Sequence, residues 1–163
     1  MSDFVPSTFT VPLKYDTELF HFHKLTPDDA QKDYAAVMAA REFIRTLYGI
    51  EDPGEWPTEE LTFEEDVQDL VKHADEFDKR LAFAYCVMSP SGHACLGCVY
   101  IDPSDRPPWD AIVRLWGLDQ EITDKLYTAV RQFVDGEFCY RNPAFPVFEI
   151  PLNGWRNQPG ADK

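Results

Sequence analysis

Thr62-Phe63-Glu64-Glu65 is a helix start signal, because a threonine and a glutamate three residues apart can each accept the other's backbone N–H. Phe63, Val67, Leu70, Val71, Ala74 and Phe77 then recur at 3.6-residue spacing, which lays an apolar stripe along a helix that ends near Arg80. Such a stripe needs a surface to cover it, and that surface follows at once. Two apolar runs, 82–88 and 94–101, flank Pro90-Ser91-Gly92-His93, the turn chemistry of a β-hairpin. A capped amphipathic helix running straight into a hairpin predicts an α+β domain, with helices laid on a mostly antiparallel central sheet.

The rest of the chain fits that frame. Phe20-His21-Phe22-His23-Lys24-Leu25 alternates like a half-exposed strand, and Thr26-Pro27-Asp28-Asp29 opens a helix through its cap, its N1 proline and two acids at the positive helix end. That helix is expected to bury Ala30, Tyr34, Val37 and Met38, with a second helical piece over 43–48 that stops near Gly49. Residues 51–57 read as a loop and 102–108 as a proline-rich connection. Residues 111–116 read as a further strand, and Asp119 caps a helix burying Ile122, Leu126, Ala129, Val130 and Phe133. A short last strand is expected over 146–150. The chain thus divides into a surface leader (1–18), one domain (19–152) and a polar tail (153–163).

Twenty-nine acidic residues against 15 basic ones leave a net charge of -14, which repels nucleic acid and anionic lipid and argues against both as partners. The apolar run 82–88 is far short of the ~20 residues that span a bilayer. Met1-Ser2-Asp3-Phe4 lacks the marks of a secretory signal, so a cytoplasmic location is expected, with Cys86, Cys95, Cys98 and Cys139 reduced. Cys95 and Cys98, with His93 and Cys86 nearby, offer soft metal ligands. In a regular strand, however, residues 95 and 98 face opposite sides, and no second Cys-x-x-Cys exists, so no metal is expected. His21 and His23 share a strand face without an evident third ligand, and read as ordinary half-exposed histidines.

Several segments in order carry a family likeness: Trp56-Pro57, Leu61-Thr62-Phe63-Glu64-Glu65-Asp66, His73-Ala74-Asp75-Glu76-Phe77-Asp78-Lys79-Arg80, Phe83-Ala84-Tyr85 and Leu96-Gly97-Cys98-Val99-Tyr100-Ile101-Asp102-Pro103. Over residues 20–140 the chain resembles a branch of the GNAT acyltransferases. The resemblance implies a GNAT-like fold and transfer of an acyl group from acetyl-CoA or another acyl-CoA to a small-molecule amine, by direct attack on the thioester. It also implies that strand 111–116 lies along the pantetheine arm, with Val113, Arg114, Leu115 and Trp116 at the cofactor. Asp110, at the start of that strand, is placed where by resemblance a general base can stand, although with no partner to shift its pKa a loop-end aspartate in water is the favoured reading. Arg114 is either a substrate contact or an exposed strand residue paired with an acid. His73, Glu76 and Arg80 fall on one helix side, as a cleft wall by resemblance or as an exposed charge network by spacing alone.

One departure from the family is plain. GNAT enzymes present a Gly/Arg-rich turn to the cofactor pyrophosphate, where N–H groups at a helix N-terminus bind the anion. The corresponding Gly117-Leu118-Asp119-Gln120-Glu121 has one glycine, no base and two acids. Acyl-CoA is therefore expected to be held weakly or not at all. The alternative reading is a non-catalytic GNAT-like module that binds a small molecule or a protein partner. Few residues remain after 150, which leads us to expect a sheet edge covered by a second copy in a homodimer, or completed by another chain.

Overall fold

The computed structural model describes residues 3–157. Their order is β1 (Lys14–Asp16), β2 (His21–Lys24), a short 3-10 turn (Pro27–Asp29), α1 (Ala30–Leu47), α2 (Phe63–Asp78), β3 (Phe83–Met88), β4 (Cys95–Pro103), β5 (Ala111–Gly117), α3 (Gln120–Glu137), β6 (Pro143–Ala144) and α4 (Leu152–Arg156). The six strands form one sheet in chain order, antiparallel from β1 to β5 and parallel between β5 and β6. Helices α1 and α2 cover one face with Leu25, Val37, Ile44, Leu70 and Trp116, and α3 covers the other with Leu126, Val130 and Phe133. This is the α+β architecture expected. Among the described residues no helix is long and apolar enough to cross a membrane.

The helix starts form as the sequence dictates. Thr62 Oγ1 accepts from the Glu65 N–H at 3.1 Å, and Glu65 Oε1 accepts from the Thr62 N–H at 2.9 Å, so both halves of the capping box are present. Helix α1 is one unbroken helix where two pieces were expected. Its middle, Ala39-Ala40-Arg41-Glu42, consists of strong helix formers and leaves no reason for a break. The α2 stripe is rotated from the one expected: Phe63 and Val71 are each 46% exposed, whereas Leu70 and Phe77 face inward. Asp66 lies on the same stripe as Leu70 and is carried into the interior.

Both ends of the chain differ from the sequence expectation. Residues 3–18, read as a surface leader, include β1 and pack onto the core, with Val5 buried, Phe4 stacked on Phe83 and Tyr140, and Phe9 against Phe138. Their contacts follow single aromatic residues on irregular backbone, so no period announces them. The tail read at 153–163 begins as helix α4, whose Trp155 is buried; residues 158–163 lie outside the described residues. The last strand forms at Pro143–Ala144 instead of 146–150. The Asp110 carboxylate accepts from the Arg141 and Asn142 N–H groups at 2.8 and 3.1 Å, and so aligns the following residues with the start of β5. Residues 146–150 form a turn closed by a bridge between Pro146 and Ile150, with Val147 at φ 77°.

Candidate functional site

The site begins where two strands part. β5 and β6 pair only at Ala111 with Pro143 and Ile112 with Ala144, after which β6 leaves the sheet. Further along β5, the backbone of Leu115 turns away from β4, and Tyr48, just past the end of α1, supplies its partner. The Tyr48 hydroxyl donates to the Leu115 carbonyl at 2.8 Å and accepts from the Leu115 N–H at 3.0 Å. Burial pushes this phenol up to about 12, which keeps it protonated and able to donate. One side chain thus takes both backbone groups on the free edge of β5 at this residue.

Beside this edge, between the sheet, α1, α2 and α4, lies a cavity of about 560 Å³. Four aromatic rings form much of its wall: Trp56, Tyr100, Trp116 and Trp155. The indole N–H of Trp116 donates to the Tyr100 hydroxyl at 3.0 Å, which fixes both rings. Carboxylates converge from α2 and β4, namely Asp66, Asp69 and Asp102. Burial raises the pKa of Asp69, opposed by His73 and Lys72, and of Asp102, opposed first by Arg114; both side chains stay half-buried, and that of Asp102 is 43% exposed. Lys72, Arg106, Arg114 and Arg156 line the same cavity. The Arg106 guanidinium lies 4.1 Å from the Trp155 ring centroid, and its Nε has no hydrogen-bond partner among the described residues, with Asp105 Oδ1 at 3.9 Å.

Helix α4 closes one side of the cavity by tying itself to the end of α1. Arg156 Nη2 donates to the Gly49 carbonyl at 2.7 Å. Gly49 has φ +63°, the left-handed region that favours glycine, and a Cβ there would also have to push aside the Leu152 side chain at 2.5 Å.

Of the residues singled out by sequence, Arg114, Leu115, Trp116 and His73 line this cavity. Burial lowers the His73 pKa below its ordinary value, with the nearby Glu76, Asp102 and Asp69 opposing the shift. Arg114 stands 4.0 Å from Asp102, the strand residue paired with an acid. Val113 is fully buried on the α3 face and does not face the cavity. Glu76 sits 4.0 Å from His73, outside the lining. Arg80 has left the helix at φ 62° and donates to the Pro6 and Phe9 carbonyls, where it anchors the N-terminal segment. Asp110 lies apart from the cavity, where its carboxylate accepts from the Arg141 and Asn142 backbone N–H groups.

A second polar cluster lies under α1. Asp33 and Asp66 are each 2% exposed. Burial, then the hydrogen bond with Asp66, pushes the Asp33 carboxyl up to about 9; Asp66 is also raised by burial, and its Oδ2 has no partner among the described residues. The Cys98 thiol donates to Asp33 Oδ1 at 3.1 Å, and the sulfurs of Cys86 and Cys95 are 3.7 Å apart. The expectation that Cys95 and Cys98 face opposite sides is overturned. The β3–β4 register pairs Val87 with Gly97 and Met88 with Cys95, so Leu96 is an extra residue in a β-bulge, and both cysteines reach the α1 face. His23 also differs from expectation, since Asp29 lies 2.8 Å from its Nε2, and Cys86 is close to both.

Tyr48, Asp33 and Asp66 are the residues that reading the sequence for chemistry missed. A signal was present for Asp33: it stands in the apolar stripe Ala30, Val37, Ala40, Ile44 of α1, where a polar residue is out of place. The turn at Gly117–Glu121 also closes on itself. The Gly117 N–H donates to Thr123 Oγ1 at 2.9 Å, the Leu118 N–H to the Leu96 carbonyl at 3.0 Å, and the Ile122 N–H to Asp119 Oδ1 at 2.9 Å. Two donors around the start of α3 are thus taken by Thr123 and the Asp119 cap and a third by a β4 carbonyl, and are not left to meet an anion.

No family model matches the chain, and no curated protein is similar to it in sequence. Solved structures are similar in fold. A ribosomal-protein-S5-alanine acetyltransferase from Vibrio fischeri superposes at TM-score 0.53 and 17% identity, over 76% of this chain and 68% of that one. An acetyltransferase from Thermus thermophilus does so at TM-score 0.50 and 18% identity, over 72% and 68% of the two chains. The microcin C7 self-immunity acetyltransferase MccE, in complex with acetyl-CoA and AMP, follows at TM-score 0.52 and 12% identity, over 75% and 67%. The chain has the fold of the GNAT acetyltransferases, as the resemblance implied.

Proposed function

We propose that this chain uses an acetyltransferase fold to bind a small amine-bearing molecule, and that its grip on acyl-CoA is weak. One observation carries the reading: an aromatic cavity lined with carboxylates adjoins a cofactor edge that Tyr48 already occupies. A protonated amine can add a cation beside the Asp69 and Asp102 carboxylates, the second of which already has Arg114 at 4.0 Å, and the rings of Trp56 and Tyr100 in the cavity wall suit cation–π attraction. On the cofactor side, three N–H groups around the turn before α3 are internally bonded, and Asp119 and Glu121 oppose a pyrophosphate. Losing about three charge-assisted hydrogen bonds costs on the order of 5 kcal/mol, a weakening of more than a thousandfold.

The test is calorimetry and thermal shift with primary and quaternary amines, acetyl-CoA, free CoA and pantetheine. The reading expects an amine that stabilises the fold, by about 2.7 kcal/mol at a hundred times its dissociation constant. It expects acetyl-CoA to bind nearer millimolar than micromolar. Low-micromolar acetyl-CoA binding that collapses when the nucleotide is removed would overturn it.

A second reading is transfer of an acyl group from acyl-CoA to that amine. It is favoured by the parting of β5 from β6, which leaves the β5 edge open to an extended ligand if Tyr48 swings away. Product formation from acetyl-CoA and the bound amine, measured by mass, separates the two readings.

A further inference from the structure

The amine reading rests on Asp69 and Asp102 and leaves the cysteine–carboxylate cluster under α1 unused, and hydrophobic packing does not account for that cluster. Three cysteines alone would make ordinary core. Two buried aspartates set beside them are costly, and small apolar residues would fill that space without the cost. Asp33 is raised first by burial and then by Asp66 and Cys95, while the Cys98 thiol that donates to it acts the other way; all three neighbours are acids. Asp66 Oδ2 has no partner among the described residues. Two carboxylates facing one another among thiols need a proton or a cation between them.

We propose that Asp33, Cys95 and Cys98 form a zinc site buried between the sheet and α1, with the Cys86 thiol beside Cys95. The ligand atoms of Asp33, Cys95 and Cys98 lie within 4.8 Å of one another. Zinc–sulfur bonds of about 2.3 Å in a tetrahedron separate two sulfurs by about 3.8 Å, and Cys86 and Cys95 are already at 3.7 Å. A zinc-bound sulfur and carboxylate oxygen stand about 3.6 Å apart. The Cys98–Asp33 contact of 3.1 Å therefore opens by a fraction of an ångström when the thiol proton is replaced by the metal. The β-bulge at Leu96 makes the set possible, because it puts Cys95 and Cys98 on one face. Asp66 stands behind Asp33 as the outer partner that orients a ligating carboxylate. Asp33 and Asp66 both line the cavity, which is the route by which the ion arrives. Thiolate and carboxylate donors together suit zinc better than magnesium or calcium. The neighbouring His23 is bound to Asp29 and is left out of the set.

The test uses the whole chain, stripped of metal with chelator under reductant. Zinc is added, the protein is desalted, and retained metal is counted. In parallel, cobalt or cadmium replaces zinc and thiolate-to-metal absorbance is recorded. The expected result is about one zinc per chain, a sulfur charge-transfer band, and affinity that rises with pH as thiol protons leave for solvent. Asp66→Asn should weaken binding by about 10- to 100-fold, and Cys95→Ser and Cys98→Ser by more. Absence of retained zinc, zinc without a sulfur band, or undiminished retention in the Cys95→Ser/Cys98→Ser variant would overturn the proposal. If the cysteine variants fail to fold, the band in the unaltered chain decides. A failure here leaves amine binding untouched, since the calorimetry of the amine needs no metal.

Discussion

Tyr48→Phe removes one oxygen and tests the reading of the β5 edge from two sides. The hydroxyl makes two hydrogen bonds to Leu115, and each has a net worth of about 0.5–1.5 kcal/mol. The ring stays, so packing is kept, and the adjoining cavity admits water to the freed groups, which holds the loss to the sum of the two bonds, about 1–3 kcal/mol. For a domain of this size each kcal/mol lowers Tm by about 2–4 °C, so differential scanning calorimetry should record a fall of roughly 2–12 °C. The same substitution should improve ligand binding. An extended amide chain laid along β5 can then bond the Leu115 N–H and carbonyl, and a gain of about 1–3 kcal/mol is roughly 5- to 150-fold in affinity. Titration calorimetry with pantetheine, which lacks the nucleotide, measures that term alone. Unchanged pantetheine affinity in a folded Tyr48→Phe protein would refute the claim that the hydroxyl occupies the cofactor edge.

Three further outcomes follow from the geometry. Asp33 is held up to about 9 in the folded state against an ordinary value near 3.8, so the stability it contributes is full below about pH 4 and is lost as pH rises towards 9. In chelator, unfolding free energy should fall across that window by at most about 1.4 kcal/mol per pH unit from this group, and Asp33→Asn should flatten the slope; a slope unaltered by the substitution would contradict it. Histidine NMR should place His23, raised by its hydrogen bond to Asp29, above the ordinary 6.5 and His73, lowered by burial, below it, and the reverse order would show that one of these environments is wrong. Gly97→Ala would put a Cβ 2.0 Å from the Trp116 carbonyl across the β4–β5 ladder, a backbone clash that should cost more than about 3 kcal/mol and shows as a lowered midpoint in urea; a neutral outcome would mean that the strands do not approach as described.

The sequence alone determined the elements with strong local signals. The capping boxes at Thr26 and Thr62, the 3.6-residue stripes of α2 and α3 and the turn at Pro90–His93 are short-range physics, and helices and strands form there because no distant contact opposes them. The poverty of the turn after β5 was equally legible, since an arginine or a second glycine is either written there or it is not. Tertiary structure decided the rest. Whether Cys95 and Cys98 share a face depended on one extra residue in a ladder, and a period-2 pattern cannot show a bulge. The burial of Asp66 followed from how α2 rotates onto its neighbours, a matter of whole-helix packing. Arg80 left the expected cleft wall because the N-terminal segment came back to offer it two carbonyls. Tyr48 reached Leu115 across 67 positions of sequence, and no local pattern encodes a meeting at that separation. Local free energies shape each element on its own, while the side chains that fill a cavity or close an edge are chosen by which elements the folded chain brings together.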